Sequence, residues 1–175
     1  YWVTYRQFKE KMRFIPAPIK MPHARAEGSY RKNGVVKLFV GISKNRSAYK
    51  GTDIMLKAAQ AVQEKYPERL QLQVAEGVPF AQYQEMLNGS DAILDQLYSY
   101  TPAMNSLLAM SKGIINIGGG EPENYEILGE EELHPIVNVQ PTYESCYEEI
   151  EQLVLHPERI PQLQEQSIAY VKKHH

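Results

Sequence analysis

VVKLFVGISKNRSAYKGTDIMLKAAQAVQEKY, residues 35–66, contains the transition that decides the fold. Its first seven residues, VVKLFVG (35–41), are rich in β-branched and aromatic side chains and predict a short strand. From Thr52 the pattern changes. Ile54, Leu56, Ala58, Ala59, Val62 and Tyr66 recur at mostly helical spacing until Pro67 stops the run. Between the two lies GISKNRSAYKGTD (41–53), which concentrates Lys44, Arg46 and Lys50 in a short segment bounded by Gly41 and Gly51.

The same rhythm continues downstream. LQLQVA (70–75) predicts a second strand, and PFAQYQEMLNG (79–89) a helix with proline at its start and glycine at its end. DAILDQL (91–97) is a third strand. PAMNSLLAMSKG (102–113) reads as a helix with Pro102 in its first turn, Thr101 as its cap and Gly113 after it. IINIG (114–118) and HPIVNV (134–139) are further strands, separated by a short helix over 121–129. TYESCYEEIEQLVLH (142–156) and 157–175 close the chain as helices. Strand and helix alternate about five times. Each parallel strand pair needs a crossover, so the expected class is a Rossmann-like three-layer α/β/α fold with a mainly parallel sheet of about five or six strands. In such sheets ligands lie beyond the carboxyl ends of the strands, which directs attention to the loops 41–52, 75–79, 95–102 and 118–121.

The 175 residues suit one domain with a real core, with 43% hydrophobic and 23% charged residues as in globular proteins. A net charge of -2 argues against nucleic-acid binding, which needs a basic field, but leaves room for a local anion pocket. The single cysteine, Cys146, permits no intrachain disulfide and points to a reducing cytoplasm. It falls within an amphipathic helix and reads as a small core residue. No run approaches the ~20 apolar residues of a membrane span, and no signal-peptide pattern opens the sequence. His23, His134 and His156 lack metal-ligand spacing, so neither metal nor cofactor is expected. The glutamates of 144–151 read as a solvated helix face. Residues 1–22 run through aromatic and basic positions into Pro16, Pro18 and Pro22, which suggests a linker following another domain.

Three loops carry candidate chemistry. In the first, helix N–H groups and Lys44, Arg46 and Lys50 present positive charge to an anion, so a phosphate site stands beside the plainer reading of a solvated basic loop. It is neither a P-loop nor a Gly-x-Gly-x-x-Gly fingerprint. In GGGEPE (118–123), the glycines allow close backbone approach and Glu121 and Glu123 could accept sugar hydroxyls, against a flexible acidic turn. In DQLYSYTP (95–102), Tyr100 and Thr101 offer hydroxyls before a helix start, while Tyr98 reads as packing. No residue is identified as catalytic.

Taken in order, these segments resemble the C-terminal, donor-binding half of GT-B glycosyltransferases, especially the retaining family 4 enzymes (glycosyl transferases group 1). FVGISKNRSAYKGTDIMLKAA looks like that family's first strand and basic loop, with Gly41 and Lys50-Gly51 matching; the usual arginine after the first glycine is Ile42 here. The resemblance implies that Arg46, Lys50, Lys44 and Gly41 meet a donor diphosphate, and that Gly77 and Val78 meet the nucleotide base. AMSKG (109–113) and the glycine-rich loop also fit. The family's Glu-x7-Glu pair falls on Tyr100 and Leu108, so Tyr100, Thr101 and Asn105, with Gly119, Gly120 and Glu121, are implied for donor sugar or ribose. The implied whole protein transfers a hexose from a nucleotide-sugar to a saccharide or lipid-linked acceptor held by an N-terminal domain. The usual setting is bacterial surface polysaccharide synthesis, in the cytoplasm or at the inner membrane face. Residues 1–30 would then be linker and flanking helix, 31–160 the nucleotide-sugar-binding domain, and 161–175 a C-terminal helix. A non-catalytic nucleotide- or nucleotide-sugar-binding module, or an unrelated doubly wound domain, is the alternative.

Overall fold

Strand β1 (Val36–Ile42) is central because its residues are apolar on both faces: Leu38, Phe39 and Val40 are fully buried. The computed structural model describes residues 4–26, 28, 30–43 and 45–175. A 3-10 turn at Arg6–Lys11 and a single helical turn α1 (Tyr30–Asn33) precede the sheet. After β1 the chain runs through α2 (Ser47–Lys50), α3 (Thr52–Lys65), β2 (Leu70–Glu76), α4 (Phe80–Asn88) and β3 (Ala92–Leu94). It continues through α5 (Met104–Ser111), β4 (Ile115–Gly118), α6 (Pro122–Leu128), β5 (Val137–Asn138), α7 (Tyr143–Leu155), a 3-10 turn and α8 (Ile160–His174).

The five strands form one parallel sheet in the order β2-β1-β3-β4-β5. Alternate residues face opposite helical layers. Leu38, Val40, Leu94 and Ile117 pack with Met55 and Val62 of α3 and Cys146 and Ile150 of α7. Phe39, Ala75 and Ile93 pack on the other face with Leu87 of α4 and Ala109 of α5. Beside them Met110 of α5 meets Tyr125 of α6 and Tyr170 and Val171 of α8. The three-layer α/β/α expectation therefore holds, with five strands. The helix after β1 covers one face and the helix after β3 the other. Their diverging exits open a crevice at the carboxyl ends of these adjacent strands.

Several local expectations change. The basic loop contains the helical turn α2. Strand β3 keeps only Ala92–Leu94 of the expected 91–97, and β5 only Val137–Asn138 of 134–139. Thr101 does not cap α5; Ala103 occupies that position, and its N–H donates to the Asp95 carboxylate at 2.7 Å. Pro102 therefore lies outside the helix, its ring leading the chain into the cap. The glutamate face of α7 is not uniformly solvated: Glu151 accepts from Lys65 Nζ (2.8 Å), Tyr66 Oη (3.0 Å) and Tyr147 Oη (3.1 Å), tying α7 to α3. Lys112, in the AMSKG segment, joins α5 to α4 through Gln84 (2.7 Å) and Asn88 (2.8 Å).

The end of α8 is anchored internally. Glu130, its side chain buried, accepts Lys173 Nζ at 2.8 Å, the His174 ring, and the Glu132 and Leu133 amides. Tyr170 Oη accepts from Asn124 at 2.9 Å, and the His175 carbonyl accepts the Ile19 amide at 2.9 Å. No helix among the described residues is long and apolar enough to cross a membrane.

Candidate functional site

Gly51 sets the first wall of the crevice. It closes α2 in the left-handed region (φ 72°) and starts α3, a conformation glycine adopts without steric cost. A β-carbon there would also strike the Leu97 side chain at 2.9 Å. Leu97 in turn donates its amide to the Lys50 carbonyl at 2.8 Å, so the basic segment is clamped to the loop after β3. Lys50 thereby stands at the crevice.

There it lines a cavity of about 170 Å³ with Gly41, Ile42 and Ser43 from the end of β1, Ala75, Gly77 and Val78 from the end of β2, Tyr83 from α4 and Asn105 from α5. Five candidates from distant segments, Gly41, Lys50, Gly77, Val78 and Asn105, are brought together. Tyr83 stands over Gly41, where a β-carbon would meet its ring at 2.8 Å. The ring rests edge-on against Phe39 with centroids 5.0 Å apart. Lys50 is the only cation among the described residues of this wall. Arg46 is exposed at the cap of α2 and is not on it; its amide donates to the Ser43 carbonyl. Lys44 lies outside the described residues.

The candidates for sugar contact divide among different places. Tyr100 and Glu121 line a second cavity of about 410 Å³ with Leu97, Tyr98, Ser99, Glu123, Gln140 and Pro141. Gln140 donates to Glu121 at 3.0 Å there. Tyr98 is exposed rather than packed (56%). Thr101 instead borders a third, mainly apolar cavity with Phe14, Ile15 and Leu128. Gly119 and Gly120 are buried, and what approaches them is the chain itself. A β-carbon on Gly119 would lie 1.8 Å from the Ser99 carbonyl oxygen, and the Gly120 amide already donates to Asn138 at 3.0 Å. The glycine-rich loop is thus shaped by internal packing.

Asp95 and Tyr83 were missed as site residues. Asp95 is 6% exposed, one residue beyond the Val40–Leu94 pair and therefore beside Gly41. Burial pushes its carboxyl up, while the Ala103 amide and the Lys50 charge oppose the rise. Tyr83 is likewise pushed up, by burial and by the Asp95 charge. A carboxylate closing the apolar run AIL was the legible signal for Asp95; nothing local marked Tyr83. Cys146 is fully buried among core side chains, and burial pushes its thiol up to about 11. No cluster of metal-ligating side chains occurs among the described residues.

A five-stranded parallel sheet with a strand-end crevice at a topological switch defines a Rossmann-like domain. The chain has the fold of GT-B glycosyltransferase C-terminal domains. It matches the C-terminal domain of the glycosyl transferase group 1 family protein LpcC from Francisella tularensis over 91% of this chain and 94% of that one, with TM-score 0.55 and 15% identity. It matches WaaG, a glycosyltransferase involved in lipopolysaccharide biosynthesis, over 93% of this chain and 52% of that one (TM-score 0.65, 14% identity). It also matches S. aureus TarM, in complex with UDP among other ligands, over 100% of this chain and 40% of that one (TM-score 0.66, 10% identity). The chain thus spans about half or less of the WaaG and TarM chains. No family model and no curated protein matches the sequence.

Proposed function

We propose that this chain is the donor-binding half of a glycosyltransferase that moves a sugar from a nucleoside diphosphate to an acceptor. The observation that carries the reading is the cavity at the ends of β1 and β2, which gathers Gly41, Lys50, Gly77, Val78 and Asn105. Lys50 meets the donor diphosphate and stabilises the leaving nucleotide as negative charge builds on it. Gly77 and Val78, at the end of β2, offer backbone to the base. The sugar extends past Leu97 towards Tyr100 and Glu121, whose cavity has carboxylates and hydroxyls suited to sugar hydroxyls rather than to phosphate. Gly119 and Gly120 shape that wall from beneath, Thr101 holds the loop, and Arg46 supplies long-range charge. The UDP found with TarM supports a nucleotide ligand.

In the whole protein a second domain holds the saccharide or lipid-linked acceptor. Residues 1–30 connect to it, 31–160 bind the donor, and 161–175 form the closing helix. Transfer of a hexose with retention, in surface polysaccharide synthesis in the cytoplasm or at the inner membrane face, completes the proposal. A second reading, a non-catalytic nucleotide- or nucleotide-sugar-binding module, is favoured by Leu108, since a leucine cannot replace a carboxylate.

Calorimetric titration of the chain with UDP, ADP and GDP tests the site. Lys50→Ala should weaken the bound nucleotide about tenfold to a hundredfold, the loss of one charge-assisted contact, with little change in melting temperature. Unchanged affinity in Lys50→Ala refutes the diphosphate assignment. Transfer or hydrolysis of nucleotide-sugars by the whole protein separates the enzyme from the module.

A further inference from the structure

A diphosphate beside Lys50 would lie near a buried carboxyl group, that of Asp95. The Asp95 side chain lies on the sheet face that carries Phe39, Ala75 and Ile93, at the strand end next to Gly41. It is more than nine-tenths buried. Its charge acts on two residues of the cavity wall, Lys50 and Tyr83. Its Oδ2 also accepts the Ala103 N–H at 2.7 Å, a donor at the start of α5 that would otherwise be available to an anion. We propose that binding of a nucleoside diphosphate in this cavity is coupled to proton uptake by Asp95, which is ionised in the free chain and neutral in the complex.

Phosphate charges brought near a buried carboxylate repel it with little water to screen them, and a like charge favours the protonated form. One proton passes from solvent to the carboxylate, while an oxygen remains to accept the Ala103 amide. Among the described residues, the charged or titratable groups facing Asp95 are Lys50 from α2 and Tyr83 from α4. Its neighbours on α5 and β4, Ala103, Ser106 and Gly118, are uncharged. The Ala103 amide, the Ser106 side chain and, last, the Lys50 charge favour the ionised carboxylate, and a bound diphosphate turns the Lys50 charge to itself. Burial already pushes the Asp95 carboxyl up, so the further rise that binding must supply is reduced. The inference rests on the diphosphate reading of the Lys50 cavity.

The test is calorimetry on the chain with UDP, ADP, GDP and inorganic pyrophosphate, in two buffers of different ionisation enthalpy between pH 7 and 8. That range lies above the terminal phosphate titration near about 6. The wild type should take up protons, and its affinity should rise as pH falls, by at most about tenfold per pH unit for one proton. Asp95→Asn keeps an acceptor for Ala103 but cannot titrate. It should lose the uptake and bind at pH 8 more tightly than the wild type. Absence of uptake by the wild type, equal uptake by Asp95→Asn, or weaker binding by that variant at pH 8 overturns the inference. If Lys50→Ala loses affinity while Asp95 has no effect, only this inference fails. If no probe binds, or Lys50→Ala binds as the wild type does, the diphosphate reading fails with it. The wild-type proton count needs no variant, so a folding defect in Asp95→Asn leaves the test intact.

Discussion

Replacing Gly119 by alanine places a β-carbon 1.8 Å from the Ser99 carbonyl oxygen and 2.9 Å from its carbon. A carbon and a carbonyl oxygen come no closer than about 3.3 Å in favourable packing, so the two segments must separate by roughly 1.5 Å. Neither can do so by rotating a side chain, because the obstacle is backbone. Ser99 is also tied to its own loop, since its hydroxyl donates to the Thr101 carbonyl at 2.9 Å. Overpacking of this kind costs ~1–3 kcal/mol and occasionally more. In a chain of this length each kcal/mol moves the melting temperature by about 2–4 °C. Gly119→Ala should therefore melt roughly 2–12 °C below the wild type. Gly89→Ala is the control: at φ -91° the nearest atom to its β-carbon is the end of the Lys37 side chain at 3.5 Å. It should stay within ~0.5 kcal/mol of the wild type. Thermal and urea unfolding followed by circular dichroism measure both. A Gly119→Ala melt within about 1 °C of the wild type would refute the close-packed origin of this glycine.

Two further outcomes follow from buried titratable groups. Lys173 and His174, with the Leu133 and Glu132 amides, hold the Glu130 carboxyl well below the usual carboxylate range. A depressed folded value contributes stability above the unfolded value near about 4.3 and loses it as pH falls through the folded one. Glu130→Gln should thus cost ~1–3 kcal/mol at pH 7, and its deficit in urea unfolding should narrow below pH ~4. A deficit constant from pH 7 to 3 contradicts the ionic anchoring of α8. Cys146, buried with its thiol pushed up to about 11, should resist a thiol reagent at pH 8 in the folded chain and react fully in denaturant. Rapid modification under native conditions would place it outside the core.

The order of elements was legible because it rests on local repeats. The apolar run VVKLFVG, the helical spacing after Thr52 and the punctuation by Pro67, Pro79, Gly89 and Gly129 each follow from backbone geometry within a few residues. A parallel sheet brings successive strand ends to one edge, which singled out the loops 41–52 and 75–79; the shared ligand of Lys50, Gly77 and Val78 was implied by the family resemblance. Lys50 lines the cavity where Arg46 does not, and its carbonyl, beside Gly51, accepts the Leu97 amide. No repeat encodes that difference.

What the sequence by itself determined about this protein is therefore its layer architecture and the edge of the sheet at which its loops collect. Only the tertiary structure decided which side chains share the cavity. The Asp95 carboxylate reaches Ala103 across a turn, Tyr83 covers Gly41 from another helix, and the Ser99 carbonyl presses on Gly119. These contacts join segments whose separation along the chain carries no periodic signal. Burial, which moves the Asp95 and Tyr83 protons, exists only once the layers have closed over them.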